Sequence, residues 1–346
     1  MKAGDTAPLN ARTSRPLGLT RLGFGGAPLG NLYRSVSEED AQATLRAAHA
    51  SGIRFFDTAP FYGLGLSEER FGTALDVMGR EAVVLSSKIG RLIVDCPADE
   101  ATETPQFVDV PQKKVVFDYT YDGVMRSLES SLRRLRIEAL DILLVHDVDV
   151  WTHGSRALAD EKVRELFEGG GYRALEELKA SGRIAAIGAG VNEWQACTAL
   201  LERGDFDCFL LAGRYTLLEQ EPLESFLPAC LARDVGIILG GPFNSGILAT
   251  GAVDGAKFNY APAPPAIMER VRRLEAVCSG HGVTLPAAAL QFVLAHPAVR
   301  SVIPGAMSPR EVRQNVALLE ETIPAAFWAE LKARRLLHED APVPAS

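Results

Sequence analysis

Cysteine is scarce and scattered in this chain: Cys96, Cys197, Cys208, Cys230 and Cys278, with no CxxC pair among the five. That spacing argues against a disulfide scaffold or a structural zinc site and fits a reducing cytoplasm. HExxH and paired-histidine spacings are also missing, so metal catalysis has little support. No stretch approaches the roughly 18 apolar residues of a membrane span. The start, MKAGDTAPLNARTSRPLG, has no secretory apolar segment, and a cytoplasmic location is expected. An excess of positive charge is lacking too: the net charge of −8 disfavours nucleic acid or an anionic membrane as the main partner. Two nucleotide signatures fail as well. There is no GK[ST] P-loop, and GFGGAPLGN (23–31) has Pro28 where GxGxxG needs glycine, so it reads as a tight turn leaving a first strand.

What is present is an ordinary globular composition, 47% apolar and 23% charged over 346 residues. Short runs rich in Val, Ile and Leu at 20–26, 54–58, 83–88, 140–146, 184–189, 208–213, 236–240 and 300–304 read as strands covered on both faces. Helical patterns fall between them at 37–52, 67–79, 121–136, 171–182, 193–204, 222–236 and 308–321. Ser37 ahead of Glu39 and Asp40 marks a helix start, and Gly52 and Gly182 mark stops. Parallel strands need helical crossovers, so eight strand–helix units predict an α/β fold of the (β/α)8 TIM barrel type, with a doubly wound open sheet as the alternative. Residues 1–346 read as a single domain with its core at about 18–322 and a peripheral tail over 323–346. The long connections 91–120, 147–170 and 241–265 each follow a strand, which places them at the C-terminal mouth as walls or lids.

Chemistry gathers at the ends of successive strands. DTAPFYG supplies Asp57 and Tyr62, SSKIG supplies Lys88, and LLVHD supplies His146. Each alone has an ordinary structural reading, but together they bring ionisable groups from strands two, three and four to one mouth. A lysine beside a tyrosine favours tyrosinate, an aspartate holds the lysine charged, and a histidine can hydrogen-bond a substrate oxygen. This set can move protons at a carbonyl or carbinol but includes no nucleophile and no metal, so electrons must pass through a bound cofactor as hydride.

At these residues the chain resembles the aldo-keto reductase superfamily over about 18–322, with DTAPFYG, SSKIG, LLVHD and IPGAMSPREVRQN in the family's order. The resemblance implies a barrel that binds a nicotinamide cofactor without a dinucleotide fingerprint. It makes Tyr62 the acid/base, Lys88 the group that tunes it, Asp57 the partner of Lys88, and His146 the residue that orients the reacting oxygen. It also makes Tyr215, in GRYTLLEQ, the ring that stacks on the nicotinamide. GGPFNSGIL (240–248) becomes the loop over the pyrophosphate, bringing in Gly241, Pro242, Phe243 and Gly246. Gly25, Gly305, Ala306, Met307, Glu311, Gln314 and Asn315 complete the expected cofactor contacts. Two positions depart from the pattern. GAGVN (188–192) replaces a serine–asparagine pair, leaving the carboxamide to Asn192 or backbone, and Ala212 replaces a glutamine.

Relatives that prefer NADP offer a lysine, a serine and an arginine to the 2′-phosphate, where this chain has Gly305, Ala306 and Glu311. A carboxylate repels phosphate and accepts hydrogen bonds from ribose hydroxyls, so NAD is expected, although Arg310 and Arg313 lie close by. Within the superfamily, GFGGAPLGNLY, APFYGLGLSE and FLLAGRYTLLEQ are similar to a bacterial branch of L-fucose or D-threo-aldose 1-dehydrogenases and pyridoxal 4-dehydrogenases. The expected reaction is oxidation of the anomeric carbon of a free aldose to a lactone. Pyridoxal oxidation, general NAD(P)H-dependent aldehyde reduction and a cofactor-binding regulatory subunit are the alternatives. Phe24, Tyr33, Phe61, Tyr119 and Trp151 are expected to wall the substrate, with Asp147, Asp149 and His153 as polar partners. The sequence is silent on oligomeric state.

Overall fold

The computed structural model describes residues 1–345. Eight parallel strands run in chain order: β1 (Phe24–Gly25), β2 (Phe55–Asp57), β3 (Val84–Ile89), β4 (Ile142–His146), β5 (Ala186–Val191), β6 (Cys208–Ala212), β7 (Gly236–Gly240) and β8 (Val299–Ile303). Bridges Leu22–Val302 and Gly25–Gly305 join the two ends, closing the sheet into the expected (β/α)8 barrel. Helices cover the outside: α1 (Glu38–Ala50), α2 (Leu66–Met78), α3 (Tyr121–Leu135), α4 (Gly171–Ala180), α5 (Trp194–Leu201), α6 (Phe226–Ala232), α7 (Leu285–Leu294) and α8 (Pro309–Glu320). Ser37 caps α1 by accepting from the Asp40 amide, and Ser308 caps α8 by accepting from the Glu311 amide.

The strands' period of two sorts every side chain inward or outward. Phe55, Ile142, Leu144, Ala186, Cys208, Leu210, Ile238 and Ile303 fill the lumen. At the N-terminal end the hairpin of Thr6–Pro8 with Gly18–Thr20 closes the barrel, adding Leu9, Leu17 and Leu19 to the same cluster. The register explains how the three chemical residues on strands, Asp57, Lys88 and His146, reach one level. Asp57 pairs with Ser86, two residues before Lys88; Lys88 pairs with Leu144, two before His146; His146 pairs with Gly190. Each step climbs by two along the tilted sheet, so all remain inward-facing.

The three long connections carry structure of their own at the mouth. The first holds a hairpin of Arg91–Asp95 with Lys113–Phe117, and the second holds helices Val150–His153 and Arg156–Glu168. The third holds helix Ile247–Thr250 and a small hairpin of Lys257–Phe258 with Ala261–Pro262.

Two parts of the chain differ from the sequence reading. Helix α7 went unread because LPAAALQFVL is buried on nearly all sides and shows no polar stripe, and the amphipathic helix Pro265–His281, which buries Val271, Leu274, Val277 and Cys278, went unread although its apolar spacing is helical. The segment after 323 is not peripheral. Helix Ala325–Ala333 buries Phe327, Trp328 and Leu331, and Leu336, Leu337 and Ala341 follow them into the core. Among the described residues, no single helix is long and apolar enough to cross a membrane.

Candidate active site

Lys88 and Asp57 form the floor of the mouth as a buried ion pair. The Lys88 ammonium donates to both carboxylate oxygens of Asp57, at 2.8 and 3.0 Å, and to the Thr58 carbonyl at 2.8 Å. The Ser86 hydroxyl donates to Asp57 as well, at 2.7 Å. Burial pushes the Asp57 carboxyl up, against the pull of Lys88 and Ser86. Tyr62 lies beside the pair, its ring centre 4.6 Å from the Lys88 nitrogen, and its ring meets that of His146 edge-on at 6.0 Å. All three ammonium protons have acceptors, and burial, then Asp57 and Asp147, hold the Tyr62 hydroxyl well above its ordinary pKa, with Arg91 opposing. His146 is the neutral form, because burial first, then Arg91 and Lys88, disfavour its cation.

A second polar group adjoins the first. Asp147 takes a left-handed backbone (φ 52°) that folds its carboxylate back beside His146, with Oδ2 at 3.2 Å from His146 Nε2 and 2.5 Å from Arg91. The Asn192 amide donates to Oδ1 at 3.2 Å. Arg91, unread from the sequence, comes from the hairpin after β3 and stacks at 4.1 Å on the ring of Phe61. The tip of the Lys257–Pro262 hairpin reaches over the same cluster. Tyr260 lies 3.4 Å from the Asn192 carboxamide oxygen and 6.2 Å from the Trp151 ring, and Lys257 sits 4.0 Å over Tyr33. The positions of Arg91 and Tyr260 depend on loop paths, which carry no periodic signal.

Tyr33, Phe61 and Trp151 keep accessible surface at the mouth, joined by Phe107, whose ring meets Phe61 at 5.5 Å. Other expected wall residues do not line it. Phe24 faces outward between Phe56 and Phe71, because the inward positions of β1 are Gly23 and Gly25. Tyr119 is buried as a brace, donating to the His146 carbonyl at 2.6 Å and reaching the Asp147 carbonyl at 3.3 Å. Asp149 is occupied by the Thr152 and Asn192 amides, and His153 packs on Phe117 at 4.9 Å.

Opposite the charged half, the inward ends of β5, β6 and β7 are Gly190, Ala212 and Gly240, almost bare of side chain. A Cβ on Gly190 would come within 3.1 Å of the Lys88 chain. This flat shelf next to Tyr62 and His146 suits a planar ring. Beyond it, Asn244, Ser245 and Gly246 take successive left-handed conformations (φ 45°, 59° and 105°). The Asn244 Oδ1 is buried without a partner. Within the turn the Asn244 amide donates to the Gly241 carbonyl and the Gly246 amide to the Phe243 carbonyl, both at 3.0 Å. Exposed Gly241, buried Pro242 and half-buried Phe243 lead into it. At the start of α8, Gly305 passes so close to Pro28 that a Cβ would meet it at 2.4 Å. Buried Ala306 follows, and the Met307 amide donates to Glu311 Oε2 at 2.7 Å. Gln314 is exposed and Asn315 buried on the same helix. Tyr215 does not reach the shelf. Past the left-handed Gly213 (φ 68°) its ring turns into the helical layer, 5.2 Å from Phe292 and 5.7 Å from His296.

Residues 21–335 match the aldo/keto reductase family. The chain belongs to that family. Among similar proteins, pyridoxal 4-dehydrogenase of Microbacterium luteolum is 44% identical over 343 residues, spanning 95% of this chain and 99% of the relative. D-threo-aldose 1-dehydrogenase of a Pseudomonas species is 38% identical, spanning 94% and 97%. A solved aldo-keto reductase from Bacillus halodurans superposes with a TM-score of 0.72 at 24% identity over 97% of this chain and 98% of its own, a likeness of fold. As an aldo-keto reductase this chain is an NAD(P)-dependent oxidoreductase. The glycine shelf, the left-handed amide turn with its unpartnered Asn244 oxygen, and the N-terminus of α8 fit such a cofactor.

Proposed function

We propose that this aldo-keto reductase is an NAD-dependent dehydrogenase that oxidises the anomeric carbon of a free aldose to a lactone. The observation that carries the reading is the Arg91–Asp147–Asn192 cluster joined to His146 beneath the aromatic faces of Trp151 and Tyr260. Ring-stacking aromatics beside charged and amide hydrogen-bonding groups suit a polyhydroxylated ring, which has an apolar face and a polar rim. Bound nicotinamide supplies the hydride acceptor. Tyr62 and His146 bracket the reacting oxygen, and Lys88 with Asp57 holds the floor rigid. Oxidation of pyridoxal as its cyclic hemiacetal is the second reading, supported by the aromatic lining and by the 44% identical relative. The test is NAD reduction followed at 340 nm with L-fucose, D-arabinose, L-galactose and pyridoxal. The aldose reading expects the highest kcat/KM with a sugar; a higher value with pyridoxal replaces it. Cofactor binding without turnover of any carbonyl or carbinol would indicate a regulatory subunit.

NAD in preference to NADP is supported by how Glu311 is held. Its carboxylate accepts from the Met307 amide and pairs at 3.3 Å with Arg34, a cation from the loop after β1. Negative charge thus already occupies the N-terminus of α8, where a 2′-phosphate would otherwise be favoured. Glu311→Lys removes that charge and frees Arg34. It is expected to raise kcat/KM with NADP relative to NAD by about tenfold or more, equivalent to about 1.4 kcal/mol. An unchanged ratio, or a wild type that already uses NADP as well as NAD, would remove Glu311 from this role.

A further inference from the structure

Resting on the proposed aldose reading, we infer that Phe107 is a specificity-determining residue. It favours hydrogen or methyl over hydroxymethyl on the sugar carbon next to the ring oxygen. The mouth has two unlike flanks around Tyr62 and His146. On the His146 side stand Asp147, Asn192 and Arg91, all able to hydrogen-bond. On the Tyr62 side stands Phe107, its ring 6.3 Å from that of Tyr62 and edge-on to Phe61 at 5.5 Å. Phe61 divides the flanks, carrying Arg91 over its face at 4.1 Å. With 7% of its surface accessible, Phe107 is a wall of the mouth and not a loose rim group.

A pyranose is unlike on its two sides as well. The anomeric carbon has a hydroxyl-bearing carbon on one side and the ring oxygen on the other. That oxygen has no hydrogen to donate, and the carbon beyond it carries hydrogen, methyl or hydroxymethyl. Matching polar to polar and apolar to apolar turns the hydroxyl-bearing edge towards Asp147 and Asn192. The ring-oxygen edge then faces Phe107, and its substituent meets the phenyl ring.

The wall offers that substituent no hydrogen-bond partner. The Phe107 amide donates to the Thr104 carbonyl at 2.9 Å, and the Thr104 hydroxyl reaches the Phe107 carbonyl at 3.5 Å. On either side, the Gln106 carbonyl accepts from the Tyr33 amide at 2.7 Å, and the Val108 amide donates to the Asn31 carbonyl at 3.1 Å. A methyl group placed here exchanges water for phenyl contact. A hydroxyl loses its water and finds nothing in return.

The wall is also fixed from behind. Asn31, 4% exposed and left-handed (φ 65°), ties the Phe107 loop to the loop after β1. Its side-chain amide donates to the Asp109 carbonyl at 3.3 Å. Its side-chain oxygen accepts from the Val36 amide and from Arg70, each at 3.0 Å. Arg70 is buried in turn and donates to the Leu29 and Val36 carbonyls at 2.6 Å. Phe107 therefore cannot swing aside for a larger or wetter group without breaking this network.

Three sugars isolate the effect. As pyranoses, D-arabinose, L-fucose and L-galactose share one ring and hydroxyl arrangement and differ only at that carbon, which bears hydrogen, methyl and hydroxymethyl respectively. With NAD, kcat/KM is expected to be higher for L-fucose than for L-galactose by about tenfold or more, within the roughly 10²-fold that an apolar pocket can impose on an added hydroxyl. Phe107→Asn puts an amide at the wall and is expected to bring that ratio within about threefold. D-Arabinose does not reach the wall, and its kcat/KM is expected to stay within about threefold in the same variant. An equal fall for all three sugars would mean a merely structural role and overturns the inference. So does a wild-type ratio near one. If Phe107→Asn does not fold, Phe107→Tyr, which keeps the ring packing and adds one hydroxyl, decides by the same ratio. Turnover without discrimination counts against Phe107 alone. No turnover of any of the three sugars counts against the aldose reading, and the inference falls with it.

Discussion

Tyr62→Phe is expected to lower kcat for oxidation by about 10² to 10³-fold while leaving NAD affinity within about twofold, the scale seen when one preorganised donor is removed from a reacting oxygen. The phenyl ring keeps the shape of the floor, including the edge-on contact with His146 at 6.0 Å and the approach of Lys88 at 4.6 Å. Only the hydroxyl is lost, the group that burial and two nearby carboxylates push well above its ordinary pKa. The reacting oxygen then loses the acid–base group that Tyr62 would supply. Stopped-flow single turnovers, which isolate chemistry from product release, should show the full loss. Cofactor affinity by quenching of protein fluorescence should hardly move. Near-wild-type single-turnover rates would take Tyr62 out of the reaction.

Asp57→Leu should destabilise the fold by about 3–5 kcal/mol, because it leaves the Lys88 ammonium buried with one carbonyl acceptor. Lys88 is 1% exposed, so water cannot replace the lost carboxylate without opening the barrel. Taking both charges out of water costs much of what their attraction returns, and burial pushes the Asp57 carboxyl up against the pull of Lys88. Asp57→Leu combined with Lys88→Met should accordingly recover most of the loss, since both ends of the pair become apolar together. Neither variant should turn over substrate. Urea midpoints for the single and double variants separate the cases: equal destabilisation of both would mean that volume, rather than uncompensated charge, sets the effect.

The strand and helix periods made most of the barrel readable in advance, and β7 falls on the very residues read from the sequence, 236–240. Helix α7 escaped for a physical reason. A segment buried on both sides, such as Leu285–Leu294, has no polar stripe to betray its period. The outward direction of Phe24 was legible too, since the alternation of β1 puts glycines on the inner face. Tyr215 was not, because a single left-handed residue, Gly213, redirects the chain after β6.

The sequence by itself determined which chemical groups stand at the strand ends, because chain position and period place Asp57, Lys88 and His146 there before any contact is known. Tertiary structure alone decided what those groups do to one another. The two-residue climb between neighbouring strands brings Lys88 onto Asp57. A hairpin after β3 carries Arg91 to Asp147, and the tip of the Lys257–Pro262 hairpin lays Tyr260 across Asn192. Coulomb and desolvation energies change over a few ångströms, whereas sequence separation is blind to distance once the chain turns back on itself.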